Sequence, residues 1–176
     1  MVKKLVVAFT AAVTMLCASA LHITKGQIDA HTEVFGDGSI NPSVSKIRSD
    51  LHIQNDDPTT LRGRIWFKIA DFRSDNSERD EHMDKMFESS KYPEISLDIQ
   101  RIRKQGSRYM ISGILQMHGV RRPITVAADI VKKNGAFQIT SYFNVKVSDY
   151  GMEPPTLLFL SVRDRVDIHA GLTLQE

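Results

Sequence analysis

Apolar and polar residues alternate along most of the chain, and this period of two predicts β-strands. In one clear case Ile47, Leu51 and Ile53 alternate with polar or charged residues, so one face of the ribbon is apolar and the other wet. About eight segments carry the pattern: 26–35, 47–53, 61–69, 95–100, 108–117, 124–130, 136–147 and 162–174. Turn residues separate them, among them Asn134-Gly135, a strong hairpin signal.

Only the stretch around residues 76–90 has helical spacing. Asn76 or Ser77 can cap its start, because a short polar side chain accepts a hydrogen bond from the free N–H groups of the first turn. Three apolar side chains fall on one face at i, i+3 and i+4: Met83, Met86 and Phe87. Pro93 marks the latest end, since the residue before a proline avoids helical dihedrals. Three side chains cannot make a core alone, so we expect this helix to cap the strands.

The elements together predict an all-β, antiparallel fold of about eight strands with one short inserted helix. The strands can close either as a sandwich or as a barrel. A barrel of eight strands is just wide enough to be filled by its own side chains or to hold one small ligand. Pro123 has no N–H for a neighbouring strand, so we expect it only where a strand begins.

Three ordered sequence blocks resemble the YceI-like family. They are RDEHM from Arg79 to Met83, KYPEISLDI from Lys91 to Ile99, and ISGILQMHGVRRPITV from Ile111 to Val126. Members of that family carry an R-D-x-H-L block, then a Y-P-x-I-x-F strand, then a G-x-L-x-x-H-G-x-x-R-P hairpin. Met83 and Leu97 replace family Leu and Phe and keep the apolar character. The stretch from Asp29 to Thr32 departs by one residue from the family's D-x-x-H-S signature.

The resemblance favours the barrel over the sandwich, because YceI-like proteins form an extended, lipocalin-like barrel. It also implies a ligand, since these proteins hold a long apolar chain, typically a polyisoprenoid, in the barrel interior. Without the resemblance, the apolar stripe of the strands favours a packed core, since most such stripes simply fill the interior.

The first twenty residues predict a secretory signal peptide, leaving residues 21–176 as a single domain. Lys3 and Lys4 give a basic start, an apolar run follows, and Ala18-Ser19-Ala20 provides small residues for cleavage. The bulky Leu16 argues against lipid attachment at Cys17. We therefore expect an exported, bacterial protein, periplasmic or secreted.

Removing the signal peptide changes both charge and cysteine content. The whole chain has 23 Lys and Arg against 21 Asp and Glu. Both lysines of the signal leave with it and no acid does, so the mature charges balance and give no reason to expect nucleic-acid binding. Cys17 is the only cysteine, so the mature domain can form neither a disulfide nor a thiolate metal site.

No enzyme motif is found in the sequence. There is no G-x-S-x-G, no H-E-x-x-H, no phosphate-cradling glycine loop and no dinucleotide fingerprint. The six histidines are scattered, without two at ligand spacing on one predicted element. We therefore expect a protein without catalytic residues, metal or cofactor.

Twelve residues are predicted to form the cavity and its cap. They are Phe67, Ile69, Arg79, His82, Met83, Met86, Phe87, Ile111, Leu115, His118, Phe137 and Phe143. Arg79 and His82 would present a cationic, hydrogen-bonding rim to the polar head of a ligand. The alternative is that Arg79 and Asp80 form an ion pair at the helix start, worth at most ~1 kcal/mol if exposed, with His82 hydrogen-bonded to a neighbouring loop. In the same way, His118 is explained as a turn residue with its own hydrogen bonds.

The preferred function is an exported carrier for an isoprenoid or similar amphiphile, with homo-oligomer formation left open. The alternative is a non-enzymatic interaction module with a packed core, docking a partner through an exposed apolar loop at residues 157–159. A third possibility, an outer-membrane barrel, fits poorly. Arg and Lys on the outward faces of the second and third strands would cost ~2–4 kcal/mol each near the bilayer midplane.

Overall fold

The structure is a computed structural model and describes residues 18–34, 38–154, 156–157 and 160–176, with side chains left undescribed from 155 to 161. Eight long antiparallel strands form the barrel: β1 Ala18–Val34, β4 Arg48–Gln54, β5 Asp57–Lys68, β6 Glu94–Gln105, β7 Arg108–Met117, β8 Val120–Lys133, β9 Ala136–Lys146 and β12 Arg165–Gln175. Four short strands accompany them: β2 Gly38–Ile40, β3 Ser43–Val44, β10 Thr156–Leu157 and β11 Leu160–Ser161. The predicted antiparallel barrel is confirmed.

Pairing of the first and last long strands closes the barrel. β12 pairs with β1 from His22 to His31, and the remaining neighbours follow in the order β12-β9-β8-β7-β6-β5-β4-β1. The other edge of β1 is shared, because Ala18–Leu21 pair with β4, whereas β3 and β2 pair further along. β10 and β11 form a separate small hairpin.

The two ends of the barrel differ in their connections. One end, here called the turn end, has tight hairpins such as Asn134-Gly135, where both residues have positive φ as the predicted turn requires. The other end, here called the cap end, carries the long connections between β1 and β4, β5 and β6, and β9 and β12. The β7–β8 hairpin at His118-Gly119 also lies there.

The cap end includes the predicted helix, α1, which is shorter than expected. It spans Ser77–Met86 instead of 76–90, and the side chain of Asn76 accepts a hydrogen bond from the Arg79 N–H at 3.0 Å. The chain leaves the helix well before Pro93, because Phe87 turns into the barrel and Glu88 adopts a positive φ of 45°. Two one-turn 3-10 helices, Ile69–Asp71 and Val147–Tyr150, complete this end.

Some strand starts differ from those expected from the sequence. β1 begins at Ala18 instead of position 26, since its early residues are fixed by pairing on both sides and not by a strong alternation. Ala18–Ala20 of the predicted signal peptide therefore lie in this strand, and residues 1–17 are outside the described part. Pro123 lies three residues inside β8 instead of beginning it.

The interior is filled at the turn end. Leu21, Leu51, Ile53 and Leu174 are at most 2% exposed and pack in one apolar cluster with Phe137. Outward residues are polar, as alternation predicts, and Trp66 covers the exterior beneath the Arg64 guanidinium, 5.8 Å from the ring centre. The packed cluster therefore forms a closed floor below the middle of the barrel.

Candidate functional site

A cavity of about 180 Å³ lies in the middle of the barrel, above this floor. Its lining is apolar except for Ser96 and Ser141, and residues of β5, β6, β7, β8, β9 and β12 all contribute. Neither serine offers its hydroxyl freely, because Ser96 Oγ accepts from Arg64 and Ser141 Oγ donates to the Ala127 carbonyl at 2.8 Å. The cavity therefore suits a hydrocarbon and gives a polar ligand no partner.

A second cavity of about 100 Å³ lies at the cap end beneath α1. Five residues line both cavities: Ala30, Phe72, Phe87, Val147 and Val166. Met83 and Met86 of α1 contact the second cavity only. The two spaces thus lie end to end, with the rings of Phe72 and Phe87 at their junction.

Charge enters this path only at its cap end. Arg79, His82 and Arg163 line the second cavity and no charged side chain lines the first. Arg79 donates to the Ser39 carbonyl at 3.2 Å and lies 4.0 Å from the exposed carboxylate of Asp75. The rim therefore presents two guanidinium groups and an imidazole above an apolar shaft.

Each guanidinium at the rim has a weak, exposed partner. Arg163 pairs with Glu33 at 3.2 Å, in addition to the Arg79 contacts. The expected Arg79–Asp80 ion pair is not formed, because Asp80 instead accepts from the N–H and hydroxyl of Ser74, both at 2.8 Å. Exposed pairs of this kind are worth ~1 kcal/mol or less, so an anionic ligand head can replace them at small cost.

Nine of the twelve predicted site residues line these two cavities. Phe67, Ile111, Leu115 and Phe143 line the first, and Phe87 lines both. The second cavity is lined by four predicted residues of the helix: Arg79, His82, Met83 and Met86.

Ile69, Phe137 and His118 line neither of these two cavities. Ile69 is fully buried in the apolar cluster under α1. Phe137 points inward but belongs to the floor, because its register opposite Leu174 sets it near the turn end.

His118 makes contacts within the cap end and none with the cavities. Its Nδ1 lies 3.2 Å from the Tyr150 carbonyl, which can only accept, so Nδ1 carries the proton. Its Nε2 is buried without a hydrogen-bond partner, and Glu88 Oε1 lies 3.4 Å away as an ion-pair neighbour outside hydrogen-bond geometry. The Tyr92 ring packs edge-on against the imidazole and fills the space beside Gly119. His118 thus positions the β7–β8 hairpin.

Sequence reasoning missed several lining residues in the connections. Phe72 follows a 3-10 helix, Val147 begins one, and Arg163 lies just before β12. Phe72 belongs to no periodic pattern, so the sequence carried no signal for it. Val147 and Arg163 lie within the predicted strands 136–147 and 162–174, but the connections that bring them to the cavities were not predicted. Others, such as Ile124 and Val166, were recognised as strand residues but not as cavity residues.

Metal and membrane-spanning features were also sought in the described part of the chain. No group of three His, Cys, Asp or Glu side chains there could hold a metal ion. Nor does any helix within the described ranges have the length and apolar content needed to cross a bilayer.

Comparison with known proteins assigns the fold to a family. The model of the YceI-like domain matches residues 21–174. The chain belongs to the YceI-like family. A relative from Photorhabdus laumondii, UPF0312 protein plu2095, is 23% identical over an alignment of 142 residues, and the match covers 74% of each chain.

Two solved structures share the YceI-like fold at low identity. BcnA of Burkholderia cenocepacia superposes with a TM-score of 0.74 at 14% identity, covering 84% of this chain and 95% of its own. A polyisoprenoid binding domain from Saccharophagus degradans, described as implicated in plant cell wall breakdown, gives a TM-score of 0.70 at 12% identity, covering 89% and 98%. These likenesses extend over nearly the whole barrel.

Proposed function

We propose that this YceI-like protein is an exported, non-enzymatic carrier that holds the apolar chain of an isoprenoid-type amphiphile inside its barrel. The observation that carries the proposal is the pair of end-to-end cavities, apolar throughout their depth and cationic only at the cap end. The Saccharophagus degradans neighbour, a polyisoprenoid binding domain, supports this ligand class. The tail lies in the first cavity and the polar head at Arg79, His82 and Arg163.

The two cavities are small for a long apolar chain. An engineered apolar cavity of roughly 150 Å³ binds benzene, so the first cavity at about 180 Å³ holds only a short apolar group as it stands. Ligand pockets usually begin near ~300 Å³. A longer chain therefore requires Phe87 at the junction, and Met83 and Met86 of the second cavity, to move aside.

The expected affinity is moderate. About 20 carbons at ~0.3 kcal/mol per atom give ~6 kcal/mol, a dissociation constant of order tens of micromolar. No catalytic group is needed for this task. Carriage through an aqueous compartment agrees with the proposed export.

An extraction experiment tests the ligand class. Lipids extracted from protein purified without detergent should contain a long-chain isoprenoid in stoichiometric amount. Extracts without any long apolar chain, together with delipidated protein that takes up none, would reject the proposal.

Matched variants test the orientation of the ligand. Arg79→Gln and Arg163→Gln should weaken binding of farnesyl phosphate several-fold and leave farnesol unaffected, because only the phosphate has a charge to pair. Arg121→Gln, which removes a comparably exposed guanidinium outside both cavities, serves as the control. Equal loss for phosphate and alcohol would place the head elsewhere.

The alternative of an interaction module with a packed core is disfavoured by the cavity itself. Its proposed docking loop, residues 157–159, lies outside the residues whose side chains are described. Uptake of an apolar dye distinguishes the two, since a filled core cannot accept it.

A further inference from the structure

The wall of the barrel is incomplete between β8 and β9. The two strands pair only from the hairpin up to Ala128 and Ser141. Beyond that point β8 pairs with β7 alone and β9 with β12 alone. The last link is the Ser141 hydroxyl, which donates to the Ala127 carbonyl. We call the region above this link, between residues 120–127 of β8 and 142–146 of β9, the seam.

The sequence itself keeps the seam unpaired. The two-residue hairpin at His118-Gly119 makes Met117 and Val120 the first hydrogen-bonded pair, so alternate residues of β8 from Val120 onward bond to β7. Residues 121, 123, 125 and 127 therefore direct their backbone groups toward β9. Pro123 lies in this set and has no N–H to give. A proline is tolerated inside β8 because this position makes no hydrogen bond to β7. Its missing N–H also removes a donor that could pair β8 with β9.

The first cavity lies directly behind the seam. Its lining includes Ile124 and Val126 on the β8 side and Phe143 and Val145 on the β9 side. At this height no backbone hydrogen bonds join the two strands. β1 and β4 also part above Leu21, but there the short strands β3 and β2 pair with the same edge of β1. A chain passing here would have to displace side chains only.

The other routes to the cavity are more obstructed. The floor consists of residues that are at most a few per cent exposed. At the cap end Phe72 and Phe87 stand in the path, and α1 is held by the bidentate pair between Arg73 and Asp84 at 3.1 and 3.2 Å. A long chain would have to thread through this junction end first.

The 3-10 turn Val147–Tyr150 lies across the top of the seam and contacts both β8 and β9. On the β8 side Arg122 donates to the Asp149 carbonyl at 3.1 Å, with the Asp149 carboxylate 3.7 Å away. On the opposite side the N–H and hydroxyl of Ser148 donate to Asp164, at 2.9 and 2.7 Å. The turn, which continues β9 directly, is therefore a clasp held by polar contacts to β8 on one side and to the residue before β12 on the other.

We propose that the seam is a lateral portal through which an apolar chain enters and leaves the barrel along its length, with the turn Val147–Tyr150 as its clasp. The inference rests on the proposed function, because a portal has meaning only if a chain is bound inside. To the proposed function the portal adds the route of the ligand, the two strands between which it passes and the contacts that hold those strands together.

Stapling the seam tests the portal. Continuing the β8–β9 register would bring Thr125 opposite Asn144, and both side chains are exposed. In a Cys17→Ser background, Thr125→Cys with Asn144→Cys is linked by a short bismaleimide. Uptake of all-trans-retinol, followed by stopped-flow fluorescence, should slow about tenfold or more, as for other closed gates. The reference is the same double-cysteine variant with each thiol capped by N-ethylmaleimide, which modifies the cysteines without linking them.

Two further staples serve as comparisons. Ser112→Cys with Thr125→Cys joins strands that are already paired, where the two hydroxyls lie 2.9 Å apart, and should leave the uptake rate unchanged. Ser39→Cys with Arg79→Cys ties α1 to β2 and should slow uptake far less than the seam staple. An unchanged rate with the seam stapled, or slowing by the Ser39–Arg79 staple alone, would overturn the portal and make the cap end the route.

A single substitution provides a test without crosslinks. Arg122→Ala unfastens the clasp from β8 and should speed both uptake and release of retinol several-fold. Arg121→Ala is the matched control, because this neighbour pairs with Asp98 and Gln116 on the other side of β8. Equal effects of the two substitutions would contradict the clasp. Failure of the unmodified protein to bind any retinol at equilibrium would reject the proposed function and the portal together.

Discussion

The turn end and the cap end of this barrel are built from the same alternating strands, yet one is filled and the other hollow. At the turn end the strands are paired to their tips, and Leu51, Ile53 and Leu174 are at most 1% exposed. At the cap end β8 and β9 part, and inward residues such as Leu115 and Phe143 face open space. Alternation thus decides which side chains of a strand face the barrel interior. Whether those side chains fill the interior depends on how closely the neighbouring strands stay paired.

The largest expected effect is a difference in the stability lost by substitutions at the two ends. Leu51→Ala in the floor should lower the free energy of unfolding by ~2–5 kcal/mol, because it removes a buried side chain and leaves a void. Val166→Ala, which borders both existing cavities, should lower it by only ~1 kcal/mol, since part of its contact surface is already missing. Urea unfolding measures both, and equal losses would show that the cap end is packed as tightly as the floor.

The next effect concerns ligand exchange at the cap end. Met83→Ala and Phe87→Ala should each speed release of bound retinol several-fold, because both side chains line the second cavity and their loss weakens retention of the chain whichever way it leaves. Val131→Ala changes an exposed residue near the turn end and is the control. Release rates that stay at the wild-type value would remove α1 from the role of cap.

A smaller effect is expected from the helix cap. Asn76→Ala removes the acceptor for the Arg79 N–H and should destabilise α1 by ~1 kcal/mol, whereas Asn76→Asp should restore it. Hydrogen exchange of the α1 amides measures this change locally. Faster exchange in the floor strands as well would mean that the two ends unfold as one unit.

The smallest effect is a pH dependence. The hydrogen bonds from Ser148 lower the pKa of Asp164 at the cap end, and those from Thr59 lower the pKa of Asp57 at the turn end. A carboxyl whose pKa is depressed by folding stabilises the native state above its unfolded pKa, near ~3.9. That contribution is lost as the pH falls from there through the folded pKa.

Acid titration compares the two carboxyls directly. Asp164→Asn should flatten the fall in stability below pH ~4 and, by weakening the clasp, speed retinol uptake at neutral pH. Asp57→Asn should flatten the same fall without altering uptake. Faster uptake in both variants would argue against a local clasp.

Much of this architecture could be predicted from the sequence. The strand faces, the hairpin at Asn134-Gly135 and the Asn76 cap follow from local chemistry. Phe137 and Phe143 show the limit, because both lie on the inward face of β9. Their heights in the barrel depend on the pairing of β9 with β12, which places one opposite Leu174 and the other opposite Ile168. Such long-range register decides which of them lines the cavity.

The positions that broke a local rule proved informative. Pro123 inside a strand contradicted the expectation for a sheet, and it marks the seam. His118 has the sequence context of a site residue, but its contacts with Tyr150, Tyr92 and Glu88 are visible only once distant connections have folded together. Phe72 and Arg163 belong to those connections too, and their positions beside the cavities also depend on long-range folding.

Native mass spectrometry of delipidated protein mixed with geranylgeraniol tests the central claim most directly. The account predicts one isoprenoid bound per chain in the wild-type protein. Filling the first cavity with Ala170→Phe, at a small residue of its lining, should reduce that occupancy severely. Wild-type protein that remains empty at ligand concentrations well above tens of micromolar, or an occupancy that Ala170→Phe leaves unchanged, would contradict a hollow barrel built to hold an apolar chain.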